Sequence, residues 1–339
     1  MRTASAASAD TQRRMAEAAA LAVAAALAAP HLLPLDRVRP AVAGAVWLAA
    51  LALRALLMLA LALSALLVLP ATALFDRVAG WSAHNTLGLL NLDLSGEPLA
   101  HGAALGPPAL LTFSLLSFAV TLAWGAAALR RELGRRTIGR GPLGSVVIAD
   151  PSLVVAIPGV GRARILVSER ALAELDDEEL SACLAHEEAH LRRRHRAVGL
   201  LAACLAAIAR PVPGGRAAER GLRLSLERDA DEYAVSRTAA PLALASAICK
   251  LAGAPSGTQA GGPLAFGLDG AGATRARLDA LLERERQRAK GGLERAVLLL
   301  GISLSLLVVA SAIALVLWLI STAPTAALGT ALHCDASNF

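Results

Sequence analysis

The residues best suited to chemistry are His186, Glu187 and His190, in the stretch Ser181 to Arg196, SACLAHEEAHLRRRHR. His186-Glu187-Glu188-Ala189-His190 is an H-E-x-x-H pattern. On a helix the two histidines fall on one face, one turn apart. Two imidazoles so placed can bind a single zinc ion, with Glu187 set beside it as a general base. A catalytic zinc usually takes three protein ligands and keeps a position for water, so a third donor must come from elsewhere. The later run Glu227-Arg228-Asp229-Ala230-Asp231 offers one. Glu227 lies on a separate expected helix that can fold back. Asp231, one turn on, can accept the second N–H of a ligand histidine and set its tautomer. Arg228 and Tyr233 are weaker candidates for stabilising an oxyanion, and His195 is a candidate stabiliser of the transition state. Arg192 to Arg194, with His195, otherwise read as a basic, interface-facing patch, and Glu188 as part of a solvated face.

The elements that must hold these residues follow from hydropathy and turn signals. The chain of 339 residues is 56% hydrophobic and only 18% charged, with a mean hydropathy of +0.56. That composition belongs to membrane proteins rather than ordinary soluble ones. Residues 15–35, 41–69, 109–129 and 296–320 are apolar runs long enough to cross a bilayer. The first carries Glu17, Pro30 and His31 and also resembles a signal-peptide core. Arg54, alone in the second run, is expected to snorkel or pair with a neighbouring helix rather than act as a functional intramembrane charge. Residues 71–108 read as a loop, because Gly80, Asn85, Ser95-Gly96 and Pro107-Pro108 are turn signals.

Arg130, Arg131, Arg135, Arg136 and Arg140 follow the third run, and Arg284, Arg286, Arg288, Lys290 and Arg295 precede the fourth. Basic residues beside a span mark the cytoplasmic side, so residues 130–295 are expected inside and residues 321–339 form a short extracytoplasmic tail. The net charge of +6 has the same origin. No basic, aromatic-interleaved surface is visible, which argues against direct nucleic-acid binding.

Within residues 130–295, Ser145 to Asp150, Leu153 to Ile157 and Arg164 to Ser168 are short β-branched runs split by turn residues. They predict three strands of a small sheet. Ser168 is placed to cap a helix over residues 169–175, and Asp176-Asp177 to open the H-E-x-x-H helix. That helix is expected to reach at least Arg196, since Pro211 and Pro213 supply the next stop. Further helices are expected over 216–238, 241–251 and 274–289. The strand Leu153 to Ile157 is a candidate for pairing with an extended substrate. Cys183, Cys204, Cys249 and Cys334 show no C-x-x-C spacing. The first three read as small buried hydrophobes, although Cys183, one turn before His186, has a conceivable ligand or redox role.

Ala163 to His195, followed by Glu227 to Asp231, resembles the gluzincin membrane metallopeptidases with H-E-x-x-H and E-x-x-x-D motifs. Two related families share the pattern: the BlaR/MecR antirepressor metallopeptidases and the HtpX/CAAX-prenyl proteases. Three spans before the catalytic region and one after it are closer to BlaR/MecR. The resemblance implies a mainly α membrane protein with about four transmembrane helices and a cytoplasmic α+β zinc metalloprotease domain carrying a small β-sheet. It implies His186, His190 and Glu227 as ligands of one zinc ion per chain, Glu187 as base, and Asp231 behind a ligand. The implied partners are a protein or peptide substrate and the lipid bilayer. BlaR/MecR sensors carry a large extracellular penicillin-binding domain after the last span, whereas only residues 321–339 follow Ile320 here. β-Lactam sensing by this chain alone is therefore not expected, which leaves room for a separate sensor or regulator protein. The expected function is endopeptidase activity on cytoplasmic or membrane-proximal proteins, including a repressor or regulator. An HtpX/CAAX-type quality-control peptidase and a non-catalytic zinc-binding scaffold are the alternatives.

Overall fold

A computed structural model describes residues 23–67, 98–150, 155–156, 165–253 and 271–283, with isolated positions among 14–21 and 299–310. The described elements begin with the apolar helix α1 (Val23–Leu32), a short turn over Leu35–Arg37, and α2 (Pro40–Leu67). α3 (Pro98–Arg136) leads straight into β1 (Thr137–Arg140). β2 (Val146–Ile148), β3 (Val155–Ala156) and β4 (Leu166–Ser168) follow. Six helices complete the described chain: α4 (Glu169–Glu174), α5 (Asp177–Arg192), α6 (His195–Ile208), α7 (Gly215–Thr238), α8 (Pro241–Gly253) and α9 (Ala271–Glu283).

Two described helices are long and apolar enough to cross a membrane, over Pro40–Leu63 and Gly106–Ala128. They coincide with the second and third expected spans. Most of the first, 15–35, is described, and its continuous apolar helix, Val23–Leu32, is shorter than a span; the fourth, 296–320, falls largely outside the described residues. α3 starts at Pro98, so the C-terminal end of the expected loop is helical, and Pro107-Pro108 sit inside the helix. Thr112 Oγ1 bonds back to the Pro108 carbonyl at 2.9 Å, as helical threonines do.

The sheet has the order β1-β2-β4-β3. β2 and β4 pair in parallel, and the antiparallel β1 and β3 form the two edges. The three expected strands are present in shortened form. β1 was not expected, because Thr-Ile-Gly-Arg is fully exposed and has no alternating apolar pattern. Ser168 ends β4 and caps α4 by accepting from the Ala171 N–H at 3.0 Å. Asp176 and Glu179 form a reciprocal capping box at the start of α5. Glu179 also accepts from Ser246 Oγ at 2.6 Å and Lys250 Nζ at 2.5 Å. Burial would push its carboxyl upward, but these donors outweigh that and hold it below the usual range. The N-terminus of α5 is thereby tied to α8.

One side of α5 packs on the sheet through Val167, Ala171, Leu175, Cys183 and Leu184. Its other side meets α7, α8 and α9 through Ala182, Ala185, Ala234, Leu244, Ile248 and Leu281. α5 does not run on to Arg196 as expected. It stops at Arg192, and Arg194 takes the left-handed conformation (φ 56°) before α6. A non-glycine residue in that region is held there by its surroundings.

α6 and α7 form a hairpin that packs along α2, with Ala50, Leu51, Ala202, Ala218 and Leu222 at the seam. Two glycines allow this. Gly214 has φ +81°, and its bare Cα faces the Arg54 guanidinium. Gly221 faces the Trp47 ring so closely that a Cβ would lie 2.7 Å from Nε1. Arg54 is buried and, as expected, pairs with neighbouring segments rather than snorkelling. It donates to the carbonyls of Leu27 (2.7 Å), Ala50 (2.9 Å) and Pro213 (2.9 Å), joining α1, α2 and the hairpin tip. Gly221→Ala should lower stability by about 1–3 kcal/mol, outweighing the ~1 kcal/mol gained in helix propensity. Thermal unfolding in detergent measures this, and an unchanged midpoint would refute the tight α2–α7 approach.

Candidate metal and catalytic site

α5 and α7 bring three donors together. His186 and His190 project from one face of α5, one turn apart, and Glu227 meets them from α7. One ligand atom from each lies within 4.8 Å of the others. The separations are 3.1 Å between the two Nε2 atoms, 3.4 Å from His186 Nε2 to Glu227 Oε2 and 3.6 Å from His190 Nε2 to Glu227 Oε1. A tetrahedron with metal–ligand bonds of about 2.0–2.2 Å has edges of roughly 3.3–3.6 Å. The donor set therefore fits a zinc ion in both chemistry and spacing.

Surrounding groups hold this set. Asp231 Oδ1 lies 2.9 Å from His186 Nδ1, although the ring N–H is not aligned into a full hydrogen bond. Arg277, from α9, forks onto Asp231 through Nε–Oδ2 (2.8 Å) and Nη2–Oδ1 (2.6 Å). Its Nη1 reaches Glu227 Oε2 at 3.1 Å. Burial alone would raise Glu227 and Asp231. The close His186 ring and Arg277 beside Glu227, and the Arg277 fork and His186 ring on Asp231, overcome it and bring both to about 2. His186 is pulled the other way. Burial opposes its charge, but Asp231 and Glu227 push it up to about 10. Burial, then the neighbouring His186, push His190 down to about 3. Burial lifts the Glu187 carboxyl to about 7, where it can both take and return a proton near neutral pH.

The other expected site residues divide. His195 is buried and turned back by the Arg194 break. Its Nδ1 is 3.0 Å from His190 Nδ1 and its Nε2 is 3.0 Å from Asp229 Oδ2. Both ring nitrogens are engaged behind His190, so neither is free to stabilise a transition state, and His195 is not part of a surface patch. Arg228 donates to the Asp36 carbonyl at 2.9 Å, turned away from the cluster. Tyr233 lies under the Arg193 guanidinium, 5.4 Å from its carbon. Glu188 pairs with Arg192 on the exposed side of α5. Cys183 is a core residue whose thiol burial pushes up to about 12; it packs in the cluster between α5 and the sheet, apart from the donor set. Cys249 is exposed rather than buried.

Arg277 and Asp229 were missed in the sequence. Arg277 is one of many arginines in a charged helix, 46 residues beyond its partner. Asp229 sits between two acids with clearer roles, and only the helix break at Arg194 reveals what it touches.

Residues 146–223 match the model of peptidase family M48. The match runs from β2 through the H-E-x-x-H helix into α7, and it stops short of Glu227, Asp231 and Arg277. It supports a zinc metallopeptidase family without separating subtypes. Comparison with curated proteins and with solved structures returns no match.

The raised His186 means that metal binding must displace its proton. Zinc binding near neutral pH should release about one proton from His186, and affinity should fall about tenfold per pH unit on acidification. Calorimetry in buffers of different ionisation enthalpy measures the release. No release would show that the metal-free His186 is neutral.

Proposed function

We propose that this protein is an integral-membrane zinc endopeptidase that hydrolyses peptide bonds of cytoplasmic or membrane-proximal proteins, a regulator or repressor among them. The observation that carries the reading is the convergence of His186, His190 and Glu227 on one point beside Glu187. The metallopeptidase character has independent support from the match over residues 146–223.

In this reading His186, His190 and Glu227 would hold the zinc. When bound, zinc would supply a Lewis acid for the scissile carbonyl and acidify an attacking water. Glu187 Oε takes the proton of that water and delivers it to the leaving amine. Asp231 holds the His186 ring, and Arg277 holds Asp231 and neutralises it. Among the described strands β3 is an edge packed beside α5, and an extended substrate would lie along it as an added strand.

Membrane insertion is supported by the two apolar helices and by the large apolar side chains that α3 leaves exposed, Leu110, Phe113, Leu116 and Trp124. The arginines that follow α3's apolar segment favour a cytoplasmic domain. An HtpX/CAAX-type processing or quality-control role would use the same chemistry on other substrates.

Glu187→Gln should keep zinc and lose about 10²–10⁴-fold in peptide hydrolysis, read as cleavage of a model protein alongside metal content. Persisting cleavage would refute the base assignment. The same variant, used as a substrate trap in cells and read by mass spectrometry, separates one regulator from many misfolded clients. A reporter fused after Arg140 should report cytoplasm, and a signal from the opposite side would reverse the orientation.

A further inference from the structure

His195 and Asp229 are two buried polar side chains beside the site that the mechanism above does not use. We propose that Asp229 and His195 form a hydrogen-bond relay that orients the His190 ring and fixes its tautomer, which makes His195 a positioning residue of the metal site. The inference rests on reading His186, His190 and Glu227 as the ligand set.

The direction of the relay follows from proton counting. His190 Nε2 faces His186 Nε2 and Glu227, so its lone pair belongs to the metal and its proton must sit on Nδ1. That N–H points at His195 Nδ1, 3.0 Å away, which must accept. His195 then carries its own proton on Nε2 and donates it to Asp229 Oδ2 at 3.0 Å. Each bond has one proton, and both imidazoles are neutral.

The two ligand histidines are thus supported differently. His186 faces a carboxylate directly, whereas His190 reaches one through an intervening imidazole. A carboxylate behind a ligand histidine fixes its rotation and raises its basicity. Here the anion acts at one remove, so no further negative charge stands next to the ligands.

The fold spends conformational energy on this arrangement. A left-handed non-glycine residue costs roughly 1–2 kcal/mol. Arg194 takes that conformation and so turns His195 inward, where a continuous helix would carry it past His190. Arg193 braces the far end, with Nη1 at 2.5 Å from Asp229 Oδ1 and 3.2 Å from the Asp229 carbonyl. His195 and Asp229 are 5% and 6% exposed, so water does not compete for either bond.

The test is zinc affinity by chelator competition on the full chain in detergent, with the cobalt(II) absorption spectrum of each variant. His195→Phe keeps a ring and removes the relay. It should weaken zinc binding about 10–100-fold and shift the cobalt bands. His195→Gln supplies an acceptor oxygen and a donor N–H in place of the two ring nitrogens, and should bind zinc nearly as wild type does. Asp229→Ala should weaken binding, and the His195→Phe/Asp229→Ala pair should be no worse than His195→Phe alone, as members of one network behave. Unchanged affinity and spectrum in His195→Phe, a glutamine as poor as phenylalanine, or additive losses in the pair would each overturn the relay while leaving the ligand set standing. Should His195→Phe not fold, Asp229→Leu decides, because it keeps a similar volume and removes the acceptor, and full zinc affinity there would overturn the relay. Wild-type protein that binds neither zinc nor cobalt would overturn the ligand set and the relay with it.

Discussion

The fork of Arg277 on Asp231 lets two carboxylates lie buried beside two histidines. Removing an ion from water costs several kcal/mol, and only well-formed pairing offsets it. Glu227 and Asp231 lie on one face of α7, one turn apart, and would be strongly disfavoured there alone. Arg277 reaches both from α9, and His186 completes the set from α5. Three helices distant in sequence therefore have to meet for any one of these charges to be tolerated. Small side chains make the meeting close enough: Ala182 and Ala189 on α5 and Ala230 and Ala234 on α7 are all fully buried. Had those positions carried larger residues, the helices would stand further apart and the three donors would no longer converge on one point.

A second constraint concerns α2. By length and composition it qualifies as a membrane span, yet nearly half of its apolar window is buried within the protein, against very little for the α3 window. It is buried because the α6–α7 hairpin lies along it. Gly221 makes room for Trp47, and Arg54 satisfies carbonyls of three segments. α7 carries Glu227 and Asp231 at one end and grips α2 at the other, so the ligand-bearing helix is braced directly by the apolar one. The site is thus continuous with the part of the chain that suits a membrane, and any tilt of α2 would be felt along α7.

Much of the local structure was legible because its causes are local. H-E-x-x-H at a spacing of four, the Asp176-Asp177 start of its helix, the Ser168 cap and the β-branched runs each act within a few residues, and each has its counterpart among the described elements. β1 was not legible, because its four exposed residues have no pattern of their own and pair only as a continuation of α3. The break at Arg194 was not legible either. Nothing in Arg-Arg-Arg-His marks a stop; the turn is held by what Arg193 and His195 reach on α7.

By itself, the sequence determined the chemistry available: two imidazoles on one helix face, a carboxylate between them, a second acidic motif, and apolar runs suited to a bilayer. These depend on residue type and helical period, which need no partner. Only the tertiary structure decided which acids and bases face one another. It brought Glu227 to the histidines, set Arg277 on Asp231, turned Arg228 away, and moved His195 from an expected surface patch to a buried place behind His190. The physical reason is that pairing among buried charges is settled by how helices cross. One strained residue, Arg194, redirects a side chain more than any propensity along the chain can foretell.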